Sequence, residues 1–466
     1  MVMNTSDAAV SIDEESIQDV LSQSKQHDAV RVREILAKSL ELKGLDIDDV
    51  SVLMMVDDEE LLEELFITAR TAKETIYGRR IVLFVPLYVS NECFNECLYC
   101  AFRFSNKEIT RRTLTQEEIA HEVRILVEQG HKRVLLVAGE ACSQNEPSYI
   151  LNAIETIYAT KSGPGEIRRI NVNISPLDVD GFRELKAAKI GTYQLFQETY
   201  HRPTYEHMHA KGKKRDYEWR IGAIDRAMQA GIDDVGVGVL FGLYDWRFEV
   251  MALMQHIAHL EKEFGVGCHT ISVPRMEPAM GSEVATSPPY PVSDIDFKKI
   301  IAIFRLAVPY TGMILSTREN PDMRRAALAL GISQISAGSR TNPGGYLEDR
   351  RNDGQFSLGD HRPLDEVIRD VAALGYIPSF CTACYRLGRT GEDFMDLAKP
   401  GEIKLHCEPN AFSTFTEYLQ DYGSPETKKV GEKLIDESLA GMEGKQKSRT
   451  ETMVAKVRSG KRDVFV

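Results

Sequence analysis

From residue 81 onward, short apolar runs alternate with amphipathic stretches of helical period, and nothing else in the sequence limits the fold as much. The apolar runs are IVLFVPLYVS (81–90), RVLLVAG (133–139), INVNIS (170–175), TYQLFQET (192–199), DVGVGVLFG (234–242), HTISVPR (269–275), GMILSTR (312–318) and SQISAGS (333–339). Helical stretches separate them at 116–129, after Pro147, at 178–189, near 216–230, at 247–264, from Ser293 to before Pro309, and from Pro321 to Gly331; a last one spans 363–374. Thr115 and Glu118 form a capping-box signal, Gly130 a stop, and Asn320-Pro321 a cap with proline in the first turn. Eight strands and eight helices predict an α/β chain, a (β/α)8 TIM-type barrel at 81–375, with a doubly wound open sheet as the competing architecture. Residues 1–80 predict a helical extension. Residues 376–466 predict a C-terminal domain, mainly helical, whose tail after 424 is a helix or a flexible end.

In a barrel the active site forms where the strands end. The unusual loops sit there: Ala138-Gly139-Glu140 after strand two, Glu198-Thr199-Tyr200-His201 after strand four, Pro274-Arg275 after strand six, Arg318 after strand seven, Ser339-Arg340 after strand eight. The chain has 466 residues and a net charge of -13. That acidity argues against nucleic acid and for small-molecule work in the cytoplasm. The first twenty residues have no apolar core, so no signal peptide is expected, and no apolar run suggests a membrane span.

Six of the eight cysteines fall into two triads, Cys93/Cys97/Cys100 and Cys381/Cys384/Cys407; Cys142 and Cys268 read as small core residues. Clustered cysteines in a large unsecreted chain point to metal rather than disulfides. The first triad, C-x3-C-x2-C, offers no fourth local ligand, because His121 and His131 read as surface residues. Three thiolates can hold a four-iron, four-sulfur cube by three corners and leave one open. The second triad leaves a choice. With His406 it could be a zinc knuckle, although adjacent ligands strain tetrahedral zinc; alone, it is another three-thiolate cluster site.

C-x3-C-x2-C after the first barrel strand, with Tyr99 before its last cysteine, resembles the radical S-adenosylmethionine enzymes. The resemblance implies a 4Fe–4S cluster on Cys93, Cys97 and Cys100 whose open iron binds S-adenosylmethionine. It also implies cofactor contacts from Tyr99, from Ala138-Gly139-Glu140 toward the methionyl amino group, and from Glu198. Arg220 is either the partner of the methionyl carboxylate or a surface helix residue. The second triad, QETYH and CHTISVPR together resemble the tyrosine lyases that mature FeFe-hydrogenase. That likeness implies cleavage of L-tyrosine to p-cresol and dehydroglycine. Dehydroglycine would then yield CO and cyanide at a second iron–sulfur cluster on Cys381, Cys384 and Cys407, building an iron precursor of the hydrogenase centre. His269 is a candidate ligand for the additional iron. Arg318, with Ser339 and Arg340 behind it, is the candidate for gripping tyrosine; Tyr200, Met276 and the strand-eight loop are candidates for closing the mouth. The implied setting is an anaerobic cytoplasm, with ferredoxin or flavodoxin as electron donor and other hydrogenase maturation proteins as partners. The alternatives are a 2-iminoacetate synthase of thiazole biosynthesis, a non-enzymatic iron–sulfur scaffold and a zinc-stabilised barrel enzyme.

Two spatial expectations follow from chain direction. The helix at 363–374 returns the chain to the bottom of the barrel, so the second triad belongs at the mouth opposite the first, and His269, opening strand six, points there too. If Ile170, Val172, Ile174, Val235, Val237 and Val239 face the helices, then Asn171, Asn173, Gly236 and Gly238 leave a polar or hollow interior, predicted to be a hydrated channel.

Overall fold

The helix starts legible in the sequence are made by the expected side chains. Thr115 and Glu118 close a reciprocal capping box ahead of the helix Gln116–Glu128. Asn320 accepts from the Met323 amide at the head of Pro321–Leu330. Asp13, Asp28, Asp46 and Asp58 each cap one of the four helices before the barrel: Glu14–Gln23, Ala29–Ser39, Ile47–Met54 and Glu59–Tyr77. The last of these buries Leu61, Leu62, Leu65, Ala69, Ala72 and Ile76 along one stripe, against the barrel helices Asp294–Ala307 and Pro321–Leu330.

The computed structural model describes residues 10–24, 28–141, 147–348 and 353–466; Cys142 lies outside them. The strands are β1 (Arg80–Ser90), β2 (Arg133–Ala138), β3 (Lys161–Ser162), β4 (Gly165–Glu166), β5 (Arg169–Asn173), β6 (Tyr193–Gln194), β7 (Val235–Gly238), β8 (Thr270–Ser272), β9 (Gly312–Leu315), β10 (Gln334–Ser336) and β11 (Ile377–Ser379). Eight of them pair in parallel in the order β1, β2, β5, β6, β7, β8, β9, β10. β10 then pairs back onto β1, from Val82 with Gln334 to Phe84 with Ser336. The ring closes, which decides for the barrel over the open sheet. β3 and β4 form a separate antiparallel hairpin.

β11 is an element the sequence pattern did not suggest. It adds to the N-terminal end of β1, Arg80 to Val82, so the chain leaving the last barrel helix is fixed at the bottom mouth. The helix Lys404–Asp421 packs against β11 and β1, followed by Pro425–Gly441 and Gly444–Arg458. The end of the chain is tied down: Asn410 and Arg389 donate to the Val466 carbonyl, at 3.1 and 2.7 Å.

The barrel wall has the expected register. Ile170, Val172, Val235, Val237 and Val239 join the hydrophobic core shared with the helices. Inward positions mix small and polar residues, such as Asn173, Gln194, Gly236 and Gly238, with bulky apolar ones, Phe84 and Ile314 among them. A Cβ on Gly236 would stand 2.5 Å from Thr270 Oγ1, and one on Gly238 2.9 Å from the Phe196 ring. Two cavities occupy the lumen instead of one unbroken channel. The upper one is lined by Phe84, Ile314 and Ser336, the lower by Val82, Gly312 and Gln334. These are successive inward positions on β1, β9 and β10, so the cavities are stacked one side-chain layer apart.

Candidate active site

The loop after β1 folds back on itself and carries the first triad. The Gly139 amide donates to the Ser90 carbonyl and the Ala141 amide to the Glu92 carbonyl, at 2.9 and 3.2 Å. Only glycine fits at 139, since a Cβ there would lie 2.2 Å from the Glu92 carbonyl oxygen. Ala138, the last residue of β2, and Gly139 thus press the second loop against the first. Cys93, Cys97 and Cys100 line one cavity together with Tyr99, Gly139, Glu140, Glu198 and Arg220. Burial pushes the Cys93 thiol up to about 11 and raises Cys97 and Cys100 as well. Three buried thiols gathered around a cavity suit soft iron, whose charge stabilises thiolates that burial alone disfavours. Among the described residues no group of three or more His, Cys, Asp or Glu converges on one metal ion. A cubane makes no such demand, because each thiolate takes its own iron.

Beside the thiols sits a buried charge network. Arg220 pairs with Glu140 at 2.7 Å and approaches Glu198 at 3.7 Å; Lys214 pairs with Glu198 at 2.6 Å. Asn95 donates to the other Glu140 oxygen at 2.6 Å. Burial would raise the Glu140 carboxyl, but the Arg220 and Lys214 charges outweigh it and hold it low. Glu198 has φ 73°, the left-handed region that costs a non-glycine residue strain. That backbone turn swings its carboxylate over the cavity. Arg220 is 3% exposed, so of its two readings the surface one is excluded.

The upper lumen cavity adjoins this one, sharing Tyr99, Cys100, Glu198 and Gln355, and has a volume of about 150 Å³. Arg318 lines it, its guanidinium 3.3 Å from the centroid of the Phe356 ring. Met276, Thr341, Gln355 and Phe356 supply the wall, the last three from the strand-eight loop. Three expectations fail here. Ser339 and Arg340 do not line the cavity, because β10 ends at Ser336 and the chain then turns outward: the Arg340 amide donates to the Tyr346 hydroxyl and its guanidinium to the Ser339 carbonyl. Tyr200 is fully buried on His256, away from the mouth. His131 is 1% exposed rather than a surface residue, and burial pushes it down to about 3.

At the opposite mouth, Cys381, Cys384 and Cys407 line the lower cavity with His269, Arg80 and Arg133. The Arg133 guanidinium donates to the Cys381 carbonyl at 2.5 Å. A hydrogen bond from Cys384 holds the Cys407 thiol below its ordinary value against the effect of burial, with the Arg80 and Arg389 charges adding to it. Burial drives His269 down to about 4, which leaves a neutral imidazole suited to metal. His406 is absent from this lining, and its Nδ1 is 2.8 Å from Arg389 Nη1. Nothing here brings it to a zinc site with the cysteines. Cys268 is buried in the main core, as expected.

Comparison with known proteins agrees with this layout. The Radical SAM superfamily matches residues 87–256, and the Biotin and Thiamin Synthesis associated domain matches residues 272–377. The 2-iminoacetate synthase of Salmonella typhimurium is 33% identical over 359 residues, covering 76% of this chain and 92% of that protein. A solved structure of HydG, a maturase of the FeFe-hydrogenase, is 51% identical; it covers 98% of this chain and 99% of its own, with a TM-score of 0.94. The chain belongs to the HydG family of radical S-adenosylmethionine enzymes. HydG from Carboxydothermus hydrogenoformans is 41% identical, covering 95% of this chain and 97% of its own, with a TM-score of 0.83. As a member of the HydG family the chain is an enzyme, a radical S-adenosylmethionine tyrosine lyase, and its radical SAM domain implies a 4Fe–4S cluster and S-adenosylmethionine. No helix among the described residues is long and apolar enough to cross a membrane.

The HydG-family site also uses residues that the sequence did not single out. Lys214 and Asn95 complete the charge network, and Gln355 reaches from the strand-eight loop to Cys100 Sγ at 3.7 Å. Lys214 sits in KGKKRD, where nothing distinguishes it from its exposed neighbours. Arg80 and Arg133 look like polar flanks of strands, but both point into the lower cavity.

Proposed function

We propose that this enzyme cleaves free L-tyrosine at the upper cavity and converts the small fragment at the lower one. The observation that carries this reading is the stacking of two thiol-lined cavities at opposite ends of one barrel. Cys93, Cys97 and Cys100 would hold the cluster, which would supply the electron that splits S-adenosylmethionine into methionine and a 5'-deoxyadenosyl radical. The chain's own residues do the rest. Glu140 and Glu198 offer acceptors to the methionyl amino group, Arg220 is the donor for its carboxylate, and Tyr99 walls the site. Arg318 meets the tyrosine carboxylate, for which a planar guanidinium gives a two-pronged fit. Met276 and Phe356 cover the mouth and keep water from the radical.

Transfer of a hydrogen atom from the tyrosine amino group to the 5'-deoxyadenosyl radical breaks the Cα–Cβ bond and gives dehydroglycine and a 4-hydroxybenzyl radical, which takes up one proton and one further electron from the reductant to become p-cresol. Dehydroglycine is small and polar, and Asn173, Gln194, Ser272, Ser336 and Gln334 offer it polar groups along the lumen. At the lower end it decomposes to CO and cyanide. These are taken up by an iron substrate held beside Cys381, Cys384, Cys407 and His269, giving a precursor of the hydrogenase centre. Ferredoxin or flavodoxin supplies the electron, and other maturation proteins receive the product. The full-length likeness to HydG favours this reading over a 2-iminoacetate synthase, which matches less of the chain.

Anaerobic reconstitution tests it. With tyrosine and S-adenosylmethionine, the protein should release 5'-deoxyadenosine, p-cresol, CO and cyanide. p-Cresol without CO or cyanide would make it a 2-iminoacetate synthase, and no 5'-deoxyadenosine would make it a scaffold.

A further inference from the structure

A further cavity belongs to neither thiol site. It is a cleft of about 730 Å³ on the flank of the lower mouth, between the bottoms of β5 to β7 and the segment after Cys384. Its lining carries five basic side chains, Arg168, Arg169, Lys186, Lys189 and Arg386, against the acids Glu166, Asp233 and Asp234. Arg168 and Arg386 are neutralised by Glu417 and Asp463. Lys186 and Lys189 are exposed and have no ion pair among the described residues. Arg169 is 2% exposed; its Nη2 lies 4.0 Å from Asp234 Oδ2, and its Nη1 has no hydrogen-bond partner.

Tyr385, next in the chain to Cys384, borders both this cleft and the lower thiol cavity. Its ring lies under the Arg169 guanidinium and edge-on to His269, and its hydroxyl meets Thr192 Oγ1 at 3.3 Å. This partly buried ring, held by stacking and one hydrogen bond of 3.3 Å, is the residue that the two linings share.

We propose that Tyr385 is the leaf of a side door, through which low-mass anions pass between the cleft and the second thiol triad. Arg169, Lys186 and Lys189 form the cationic approach to it. That the cargo is the finished iron compound rests on the function proposed above; the door itself does not.

Alkylation of the cluster-free full-length protein tests the door without any turnover. Each thiolate displaces iodide from anionic iodoacetate or neutral iodoacetamide, and mass spectrometry reads each triad separately. Tyr385→Ala should speed labelling of Cys381, Cys384 and Cys407 by about tenfold or more, as expected when a local barrier to opening is removed. Labelling of Cys93, Cys97 and Cys100 should not change. Adding Lys186→Trp, which plugs the cleft from an exposed helix position, should reverse the gain. Lys186→Glu with Lys189→Glu should lower the preference of the lower triad for iodoacetate over iodoacetamide several-fold. Equal acceleration of both triads, or none at the lower one, overturns the proposal. If labelling behaves as described while the reconstituted enzyme makes no CO or cyanide, the door stands and the cargo is wrong.

Discussion

Arg220 grips two carboxylates in a pocket that is nearly closed to water, and only one of them, Glu140, holds it at 2.7 Å. Its fork also donates twice to the Phe196 carbonyl, at 2.8 and 3.1 Å. Lysine would keep the charge but lose the fork. Arg220→Lys should therefore weaken S-adenosylmethionine binding roughly tenfold while leaving the iron content of the first triad unchanged, as equilibrium binding and iron analysis would show. The sequence marks Arg220 as a candidate only by its place on a helix after strand four. Its burial comes from tertiary contacts with Glu140 and the Phe196 carbonyl, which no local pattern announces. Ser339 and Arg340 were misplaced for a related reason: the apolar run SQISAGS continues past the point where the ladder with β9 and β1 ends. Lys214 went unread because its value comes from a tertiary contact with Glu198 on another loop.

At the scale of elements, the helix Lys404–Asp421 carries Cys407 and must stay seated under the barrel. Its anchor is Glu417, fully buried, paired with Lys132 at 2.8 Å and Arg168 at 2.7 Å. Burial would raise the Glu417 carboxyl; the Arg168 hydrogen bond and the Lys132 charge outweigh it and hold it at about 2. A carboxyl depressed in the folded state adds stability above its unfolded value and loses it as pH falls toward the folded one. Glu417→Gln should thus be less stable than the parent by about 3 kcal/mol near neutrality, the usual cost of breaking a buried pair. The gap should shrink below about pH 4.3, the ordinary glutamate value, and close near pH 2, as chemical denaturation at several pH values would show. Helix boundaries were legible wherever a side chain makes them, as at Thr115 and Asn320. β11 was not, because Ile377–Ser379 is only three residues long and includes Pro378; pairing with β1, rather than strand propensity, makes it a strand.

For the whole molecule, the alternation of strands and helices fixed the barrel, and chain direction put the second triad at the opposite mouth. What the alternation could not show is whether the lumen runs clear, since that depends on how far single side chains reach across it. Ser336 lines the floor of the upper cavity, and the next inward residue, Gln334, lines the lower. Ser336→Leu places a branched apolar group at that junction. It should leave p-cresol formation within about twofold while cutting CO and cyanide about tenfold, the penalty expected when a polar fragment must pass a filled layer.

The account stands most directly on the division of labour between the two triads. Cys384→Ser should remove the second site and spare the first, and p-cresol, CO and cyanide should be measured in the same anaerobic reaction. The account predicts p-cresol at the level of the parent enzyme with CO and cyanide both lost. CO and cyanide at the parent level, or loss of p-cresol along with them, would contradict it.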